Sequence, residues 1–288
     1  MKLLVQSFDT AEKNLAFEEW YFHRFEEDTL RLWINPKSVV VGKHQNAFAE
    51  SNQAFCSQHQ IPIIRRISGG GTVYHDEGNV NFSFFRHVEK GQQINYDRNL
   101  DIIQGALVQL GYPVERTVRH DLFIGEHKIS GNAQHVSKGK ALHHGTILYS
   151  SDKTLLSAAL KNDCGHFEDK SVKSVRSPIR NLDELKSIGS VGEFLGALAK
   201  AINLNQIEPE FGADEIAQLA LEKYSSWDWN FGYGPAFRFI SRNSDFQVIV
   251  ERGGLIHSIE LHGNEHIQLT KKFKSTRFES ELIESLFV

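Results

Sequence analysis

Several features that would indicate a particular class of protein are scarce or missing in this sequence of 288 residues. It has two cysteines, Cys56 and Cys164, and their separation matches neither a zinc site nor a disulfide framework. No run approaches the roughly 20 apolar residues that span a membrane, and the apolar run in "MKLLVQSFDT" is too short for a signal peptide. We therefore expect a cytoplasmic protein that has no membrane segment.

An excess of positive charge is missing as well. The chain has 32 Lys and Arg against 36 Asp and Glu, and its formal net charge is -4. This balance gives no overall basic field, so nucleic acid is not an expected partner. Apolar residues make up 40% of the chain, including 20 Phe. That is ample for a sizeable core in one large domain, or in a domain with an appendage.

The β-rich runs are short and follow one another as hairpin partners. Asn-Pro-Lys separates the runs 29–34 and 38–42, which predicts a hairpin. The runs 121–124, 127–136 and 141–150 are separated by short polar turns, which predicts antiparallel neighbours. Helical patterns lie between these runs without strict alternation. The sequence therefore predicts an α+β fold with a mixed, mostly antiparallel sheet flanked by helices.

Helical spacing and capping residues predict the other elements. A helix beginning at Asp97 has apolar residues at helical spacing and ends at Gly111. We expect a long loop over 162–181 and a hairpin in the tail, between 246 and 261. The other predicted helices cover 10–28, 46–60, 152–161, 191–204 and 212–224.

The stretch "RRISGGGTVYHDEGN" (65–79) places three glycines between two predicted strands. One interpretation is a wide turn in which glycine supplies positive φ. The other is an anion site, because consecutive backbone N–H groups can form a nest and Arg66 adds a fixed charge beside them. The P-loop pattern is absent, and the glycines precede a strand rather than a helix. Any nucleotide would therefore be held by strands and loops.

Other candidate groups lie further along the chain. Lys128 sits in a predicted strand beside Ser-Gly, either as an exposed lysine or as a point charge for phosphate oxygens. His143 and His144 are adjacent in a strand and point to opposite faces, so we expect no shared metal ion. His75-Asp76 lacks a supported nucleophile and is expected to shape a turn.

Five motifs in order resemble the lipoate–protein ligase A family, within the biotin/lipoate protein ligase superfamily. The resemblance covers roughly residues 1–240. It implies a fold like that of biotin ligases and class II aminoacyl-tRNA synthetases. The motifs are "RRISGGGTVYHDEGNVNFSF" (65–84), "HKISGNAQHV" (127–136), "HHGTILYS" (143–150), "VKSVRSPIRNL" (172–182) and "WDWNFG" (227–232).

The resemblance also implies a reaction. Lipoate is activated with ATP and Mg²⁺, bound together as a substrate complex, to give lipoyl-adenylate and pyrophosphate. The lipoyl group then passes to a lysine of an acceptor domain. The implied acceptors are the acyltransferase subunits of 2-oxoacid dehydrogenases and the glycine-cleavage H protein. The resemblance implies no permanently bound cofactor and no metal ligands in the chain.

The implied site residues follow from the matched motifs. Lys128 is the implied catalytic residue and contacts both lipoate and the adenylate. Gly69 and Gly70 are expected beside lipoate. The residues implied for ATP and lipoyl-adenylate are Arg66, Gly71, Thr72, Val73, Tyr74, Asp121 and Lys128.

The chain departs from the family pattern at three places. His120 stands where Asn is usual, and Gly234-Pro235-Ala236 stands where Ser-Pro-Lys is usual. The part after the catalytic domain is short, which predicts a domain over 1–235 and a reduced accessory region over 236–288.

Three alternatives remain open. One is an ATP-independent octanoyl or lipoyl transferase with a thioester on Cys164, near His166. The others are a biotin ligase and a non-catalytic protein that binds acyl carriers.

Overall fold

The structure is a computed structural model that describes residues 1–89, 96–118, 120–160, 165–175, 177–208, 210–242, 246–261 and 263–279. None of the helices in these ranges combines the length and the apolar character needed to pass through a lipid bilayer. Helices and sheets are both present and intermixed along the chain, so the predicted α+β class is confirmed.

The bounds of the elements are as follows. The strands are β1 (Lys2–Val5), β2 (Thr29–Ile34), β3 (Ser38–Val41), β4 (Ile63–Arg65), β5 (Val73–His75), β6 (Asn79–His87), β7 (Glu115–Arg116), β8 (Leu122–Ile124), β9 (His127–Ser130), β10 (Asn132–Ser137), β11 (Lys140–Leu148), β12 (Gly165–Asp169), β13 (Phe237–Ser241), β14 (Phe246–Glu251), β15 (Leu255–Leu261) and β16 (Asn264–Glu265). The α-helices are α1 (Ala11–Arg24), α2 (Ala47–Glu50), α3 (Gln53–Gln58), α4 (Tyr96–Gln109), α5 (Lys153–Leu160), α6 (Val191–Ile202), α7 (Ala213–Leu219) and α8 (Ile267–Phe273). Two π-helical turns cover Ala220–Tyr224 and Asp228–Gly232.

The central sheet has the strand order β1-β2-β6-β11-β10. β1 runs parallel to β2, and the other neighbours are antiparallel, which confirms the mixed, mostly antiparallel prediction. Val80, Phe82 and Phe84 alternate along β6 and pack with α4 and α6 in one buried cluster. Phe85 points to the other face and packs with α1. Both faces of the sheet are therefore covered.

Two small sheets extend this framework. β3 lies between β4, to which it is parallel, and β5, to which it is antiparallel. β7, β8 and β9 form an antiparallel sheet, and β10 pairs with β11, as the sequence predicted. Gly131 separates β9 from β10, where the chain passes into the central sheet. A Cβ on Gly145 would lie 2.6 Å from the carbonyl oxygen of Gly131, so glycine is required for this close approach.

The hairpin predicted at Asn-Pro-Lys is wrong. β2 belongs to the central sheet, whereas β3 belongs to the small sheet. The side chain of Asn35 is buried, and its amide lies 3.0 Å from the Oγ of Ser38 and 3.1 Å from the Nδ1 of His75. The turn is thus held inside the fold by hydrogen bonds, and it directs the chain from one sheet to the next.

Two predicted helices also differ from the structure. The helix expected over 46–60 is two helices, because the side chain of Asn52 accepts from the N–H of Phe55 and starts a new one. The helix expected over 212–224 begins as α7 and continues as a π-helical turn to Tyr224. In both cases the apolar spacing indicated the helical region. It did not indicate the break at Asn52 or the transition from α-helix to π-helix after Leu219.

The predicted long loop over 162–181 contains β12, which is an edge strand of a second five-stranded sheet. This antiparallel sheet has the order β12-β13-β14-β15-β16 and packs with α8 around a cluster of its own. Phe48 and Phe231, from the preceding part of the chain, pack against the same cluster. The boundary predicted at 235–236 stays a prediction. Cys164 lies outside the described residues.

A neutral histidine is enclosed in the core. The ring of His143 lies with its centroid 5.9 Å from those of both Phe82 and Phe84. Its Nδ1 is 3.1 Å from the Nδ2 of Asn99, and its Nε2 is 3.0 Å from the Oδ1 of Asn132. A neutral imidazole satisfies both contacts with one donor and one acceptor. Burial lowers the pKa of His143 to about 3.

We expect His143 to reduce the stability of the fold in acid. Its pKa in the folded protein, about 3, is below the ordinary value of 6.5. The stability that the neutral His143 contributes is therefore fully present above pH 6.5, the ordinary pKa. It is lost progressively as the pH falls from 6.5 toward about 3, the pKa in the folded protein. The loss is about 1.4 kcal/mol per pH unit for each proton taken up on unfolding. Urea unfolding at neutral pH and at about pH 5 should show a smaller pH dependence for H143Q than for the parent.

The matched control is H59Q, since His59 is exposed at the end of α3. This variant should keep the pH dependence of the parent. An H143Q variant that loses as much stability in acid as the parent would show that His143 is not the group responsible.

Candidate functional site

The three glycines lie in a loop between β4 and β5. Gly70 has a φ of +85°, in the region that favours glycine. A Cβ on Gly42 would lie 2.1 Å from the carbonyl oxygen of Gly70, so the segment after β3 packs directly against the loop. The N–H of Lys43 also donates to the carbonyl of Ser68 at 2.8 Å. The turn interpretation of the glycines is therefore correct for Gly70.

Arg66 organises the same loop from beneath. Its Nη2 donates to the carbonyls of Gly69 and Gly71 at 2.5 and 2.7 Å, and its Nε donates to the Oγ of Ser68 at 2.9 Å. A further bond runs from its Nη1 to the carbonyl of Val40. Burial lowers the pKa of Arg66 to about 10, so the guanidinium keeps its charge at neutral pH. Arg66 thus draws two glycine carbonyls to one side of the loop.

The backbone N–H groups of the three glycines differ from their carbonyl groups in their hydrogen bonding. Among the described residues, the N–H groups of Gly69, Gly70 and Gly71 have no hydrogen-bond partner. Three successive free N–H groups beside a positive φ are the elements of an anion nest. The two interpretations of the glycines are compatible, because the turn that Arg66 holds is the one that leaves these donors free.

A first cavity of about 340 Å³ opens beside this loop. Apolar side chains from α1, β2, β3, β5 and β10 form part of its wall: Leu15, Trp33, Val40, Val73 and Ala133. Lys128 and Asp121 lie in the lining as well, so an apolar slot meets a polar group. Such a combination suits a ligand that has a hydrocarbon part and an anionic end.

Lys128 and Asp121 form an ion pair in the cavity wall. The Nζ of Lys128 is 2.9 Å from the Oδ1 of Asp121, and both side chains are about one quarter exposed, at 24% and 23%. A Cβ on Gly131 would lie 3.1 Å from that Nζ, so the glycine leaves the space that the ammonium group occupies. The backbone of Lys128 bonds to the backbones of Pro178 and Arg180, which fixes this strand against the fourth motif.

A second cavity of about 410 Å³ shares Thr72, Val73 and Lys128 with the first. Its lining continues past Tyr74 and Ser130 toward α5. The hydroxyl groups of Tyr74 and Ser130 are buried and have no hydrogen-bond partner among the described residues. Buried polar groups without partners are rare, and here they lie where a ligand with polar edges would supply the missing bonds.

A strap formed by residues 172–175 lines the first cavity, and its Ser174 and Val175 also line the second. Its Ser174 accepts a bond from the N–H of Thr72 at 2.9 Å. The Nε2 of Gln45 donates to the carbonyl of Val172 and to the Oγ of Ser174, both at 3.1 Å. The strap follows β12 closely in sequence. The strap thus connects the wall of the cavities to β12, the edge strand of the second five-stranded sheet.

The other candidate groups do not form reactive clusters. His143 and His144 point to opposite faces of the central sheet, as predicted, and bond to different partners. Asp76 accepts from the N–H of Gly78 at 3.0 Å, which confirms its role in a turn. No group of three or more His, Cys, Asp or Glu in the described ranges could hold a metal ion. Burial raises the pKa of Cys56 to about 12, so this thiol is inert.

The structure places seven of the nine predicted site residues in the walls of the two cavities. Gly69 and Gly70 line neither cavity; Gly69 meets Arg66 through its carbonyl. His120 has a φ of +62°, a conformation in which both Asn and His are enriched, so the departure from Asn is tolerated there. Those that line at least one cavity are Arg66, Gly71, Thr72, Val73, Tyr74, Asp121 and Lys128.

Several residues of the site were not predicted as site residues from the sequence. They come from separate elements and meet only in the folded chain, so local spacing does not connect them. Three of them nevertheless lie within the quoted motifs, His144 and Thr146 in the third and Ser174 in the fourth. The residues are Leu15, Trp33, Gln45, His144, Thr146 and Ser174.

Comparisons with known proteins identify the family of this chain. A model of the lipoyl protein ligase A/B catalytic domain matches residues 10–203. The chain belongs to this family. It is 38% identical over 260 residues to lipoate–protein ligase 1 of Staphylococcus aureus, covering 85% of this chain and 79% of that protein. It is also 34% identical over 274 residues to human mitochondrial lipoyl amidotransferase LIPT1, covering 88% and 70%.

Solved structures of lipoate ligases have the same fold. A lipoate–protein ligase A bound with ATP superimposes with a TM-score of 0.68 at 25% identity, covering 81% of this chain and 98% of that one. The bipartite lipoate protein ligase of Thermoplasma acidophilum, solved in a study of the ligase and its E2 lipoyl domain, gives 0.68 at 25% identity, covering 81% and 96%. The family and the α+β fold predicted from the motifs are confirmed.

We expect Gly70→Ala to weaken the binding of lipoate by more than its cost to stability explains. The new Cβ would lie 3.0 Å from the Nη2 of Arg66 and would displace the guanidinium from the loop carbonyls. Gly139→Ala is the matched control, because Gly139 also has a positive φ, +76°, and its Cβ would have 3.6 Å to the nearest atom. Both variants should lose roughly 1–2 kcal/mol of unfolding free energy from the backbone alone.

Calorimetric titration with lipoate separates the two effects. The affinity should fall in Gly70→Ala and stay at the parental value in Gly139→Ala. Parental affinity in a folded Gly70→Ala protein would mean that these glycines serve the turn alone.

Proposed function

We propose that this chain activates lipoate with ATP and transfers the lipoyl group to a lysine of an acceptor domain. The observation that carries the proposal is the position of Lys128 in the lining of both cavities, at the point where they meet. A reaction that joins a carboxylate to a nucleotide needs such a junction, because its two substrates enter separate pockets and react at one point.

The first cavity suits the lipoyl group. Leu15, Trp33 and Val40 offer an apolar wall for a hydrocarbon chain and its dithiolane ring. The free N–H group of Gly71 and the Lys128 ammonium group, both on residues that line this cavity, offer donors for the carboxylate at the other end. The resemblance predicts direct contacts from Arg66, Gly69 and Gly70 to the substrates, and the structure supports at least an indirect role, since Arg66 sets the geometry of the loop.

The second cavity suits the nucleotide. Its unpartnered hydroxyls on Tyr74 and Ser130 match the polar edges of a base or ribose, while Leu156 and Leu160 of α5 offer an apolar surface for a flat ring. Thr72 and Val73 line both cavities and therefore lie where the nucleotide meets the acyl group. The ATP-bound lipoate ligase of the same fold supports ATP as the nucleotide.

Lys128 has a direct electrostatic task in the activation step. A lipoate carboxylate oxygen attacks the α-phosphorus of ATP, and the bond to the β-phosphate oxygen breaks, releasing pyrophosphate. Two anions must approach each other, and a fixed ammonium group stabilises the charge that develops on the α-phosphoryl oxygens. Asp121 holds this ammonium group in place at 2.9 Å. Mg²⁺ enters as the companion of ATP, since it neutralises the phosphate charge on the substrate itself.

The transfer step uses the same ammonium group. The amine of the acceptor lysine attacks the carbonyl carbon of lipoyl-adenylate and loses a proton. The bond to the phosphate oxygen breaks and AMP leaves. In this proposal Lys128 stabilises the negative charge that the carbonyl oxygen gains, so the same residue serves both steps without a covalent enzyme intermediate. Lipoyl domains of 2-oxoacid dehydrogenase subunits are the proposed acceptors, supported by the study of an archaeal ligase with its E2 lipoyl domain. The glycine-cleavage H protein is a second expected acceptor.

An ATP-independent transferase is the alternative, and the similarity to LIPT1, named a lipoyl amidotransferase, favours it. A thioester mechanism needs a reactive thiolate. Cys56 is buried with a raised pKa and is unsuited to that role. Cys164 lies outside the described residues, so a substitution must decide its role.

We expect Lys128→Met to lower the rate of lipoate-dependent ATP–pyrophosphate exchange by about 10²-fold or more, the effect of losing one preorganised charge. The fold should survive, since the side chain is partly exposed and packs beside Gly131. Lys186→Met is the control, because Lys186 is exposed and its Nζ bonds only to the carbonyl of Leu110 among the described residues. Near-parental exchange by Lys128→Met would remove Lys128 from the mechanism.

We expect a double variant with Cys56→Ser and Cys164→Ser to keep nearly all ATP-dependent lipoylation of an acceptor domain. An acyl-adenylate needs no enzyme thiol. The assay follows incorporation of lipoate with and without ATP. A folded but inactive double variant, together with a thioester trapped on Cys164 of the parent, would establish the transferase instead.

A further inference from the structure

Three buried side chains from distant parts of the chain form a continuous hydrogen-bonded row. The Nδ1 of His144 on β11 lies 2.9 Å from both carboxylate oxygens of Glu18 on α1. Its Nε2 lies 2.6 Å from the Oγ of Ser68, just before the glycines. Glu18 and Ser68 are fully buried, and His144 forms part of the wall of the first cavity.

The row continues at both ends. Beyond Ser68, the Nε of Arg66 donates to the same Oγ, and its Nη2 holds the glycine carbonyls. Beyond Glu18, the Oγ of Ser83 donates to the carboxylate at 2.7 Å and accepts from the indole N–H of Trp33 at 2.9 Å. Trp33 lines the first cavity as well. The row therefore begins at Trp33 in the wall of the first cavity and ends at the glycine loop.

Only one assignment of protons satisfies every member. Burial raises the pKa of Glu18, but the interaction with His144, the hydrogen bond from Ser83 and the charge of Arg31 together lower it below the ordinary value. The carboxylate accepts, so His144 donates from Nδ1 and its Nε2 accepts from Ser68. A second proton on Nε2 would leave the Ser68 hydroxyl hydrogen without an acceptor among the described residues, because the other bond of this hydroxyl is one that it accepts from Arg66.

The sequence of groups is that of a hydrolytic Ser–His–acid triad. Ser68 is not a nucleophile in this arrangement, because its Oγ is fully buried and already accepts a bond from Arg66. A buried, fully bonded hydroxyl has no path to a substrate carbonyl. The row must act through the loop to which it is attached.

We infer that His144 is a positioning residue for lipoate activation: it fixes Ser68, and through Ser68 the Arg66 guanidinium and the free N–H groups of the glycine loop. Each link is a bond of 2.5–2.9 Å between buried groups, so a change at His144 reaches the loop through Ser68 and Arg66. Displacing reacting groups by about 1 Å can cost about 10²-fold in rate. This inference rests on the proposed function.

Two substitutions at the same position separate the two bonds of the histidine. In His144→Asn the amide nitrogen takes the place of Nδ1 and still donates to Glu18, but Ser68 loses its acceptor. In His144→Gln the amide oxygen takes the place of Nε2 and still accepts from Ser68, but Glu18 loses a donor. A buried carboxylate that loses a donor is destabilised, whereas the loop depends on the bond to Ser68.

We expect stability and activity to move in opposite directions. His144→Asn should lose less stability than His144→Gln, because a buried neutral hydroxyl without an acceptor costs less than a buried carboxylate without a donor, and its kcat for lipoate-dependent ATP–pyrophosphate exchange should fall about tenfold or more. His144→Gln should be less stable and yet exchange several-fold faster than His144→Asn. Ser68→Ala should match the slow exchange of His144→Asn, and it decides the question if His144→Gln does not fold.

Other outcomes overturn the inference or its foundation. Parental kcat in His144→Asn or in Ser68→Ala means that the row does not position the loop. Activity that follows stability, with His144→Gln slower than His144→Asn, means that His144 only supports the fold. A parent protein without any exchange contradicts the proposed function itself, which is a separate result.

Discussion

Two neighbouring guanidinium groups at the end of β4 hold the site together. Arg65 donates to the carbonyls of Gly42, Lys43 and Gln45 from one side and to Trp229 and Asn230 from the other. Arg66 organises the glycine loop in the same manner. Backbone carbonyls in buried loops need donors, and two adjacent arginines supply them to both sides of one strand. The cavities depend on these loops, so they depend on this pair.

The arrangement explains why glycines and arginines occur together in the first motif. Arg66 binds the carbonyl groups of the loop, and the N–H groups of the loop stay free. Because Gly42 has no Cβ, the segment after β3 can pack directly against the carbonyl group of Gly70. The bonds from Arg66 thus occupy the carbonyl groups of the turn and leave its N–H groups available as donors. Lys128 adds a second positive charge in the lining of the first cavity, where Asp121 holds its ammonium group through an ion pair.

Much of this was accessible from the sequence, because the decisive residues are contiguous. The glycine loop, Lys128 with its Ser-Gly neighbour, and the antiparallel pairs around them were all predicted from local patterns. The misread elements are those decided by distant partners: β12 pairs with β13 across some seventy residues, and Asn35 turns the chain through a bond to His75. The Glu18–His144–Ser68 row has no local signature, since its three members come from three separate elements.

The central claim is that lipoate passes through a mixed anhydride with AMP. Lipoate labelled with heavy oxygen in its carboxylate, incubated with ATP and a lipoyl domain, tests this most directly. Attack by the carboxylate places one of its oxygens on the α-phosphorus, and cleavage of the anhydride by the acceptor lysine leaves that oxygen in AMP. The account predicts AMP that carries one heavy oxygen for each lipoyl group transferred. Lipoylation that yields unlabelled AMP, or that proceeds without ATP, would contradict it.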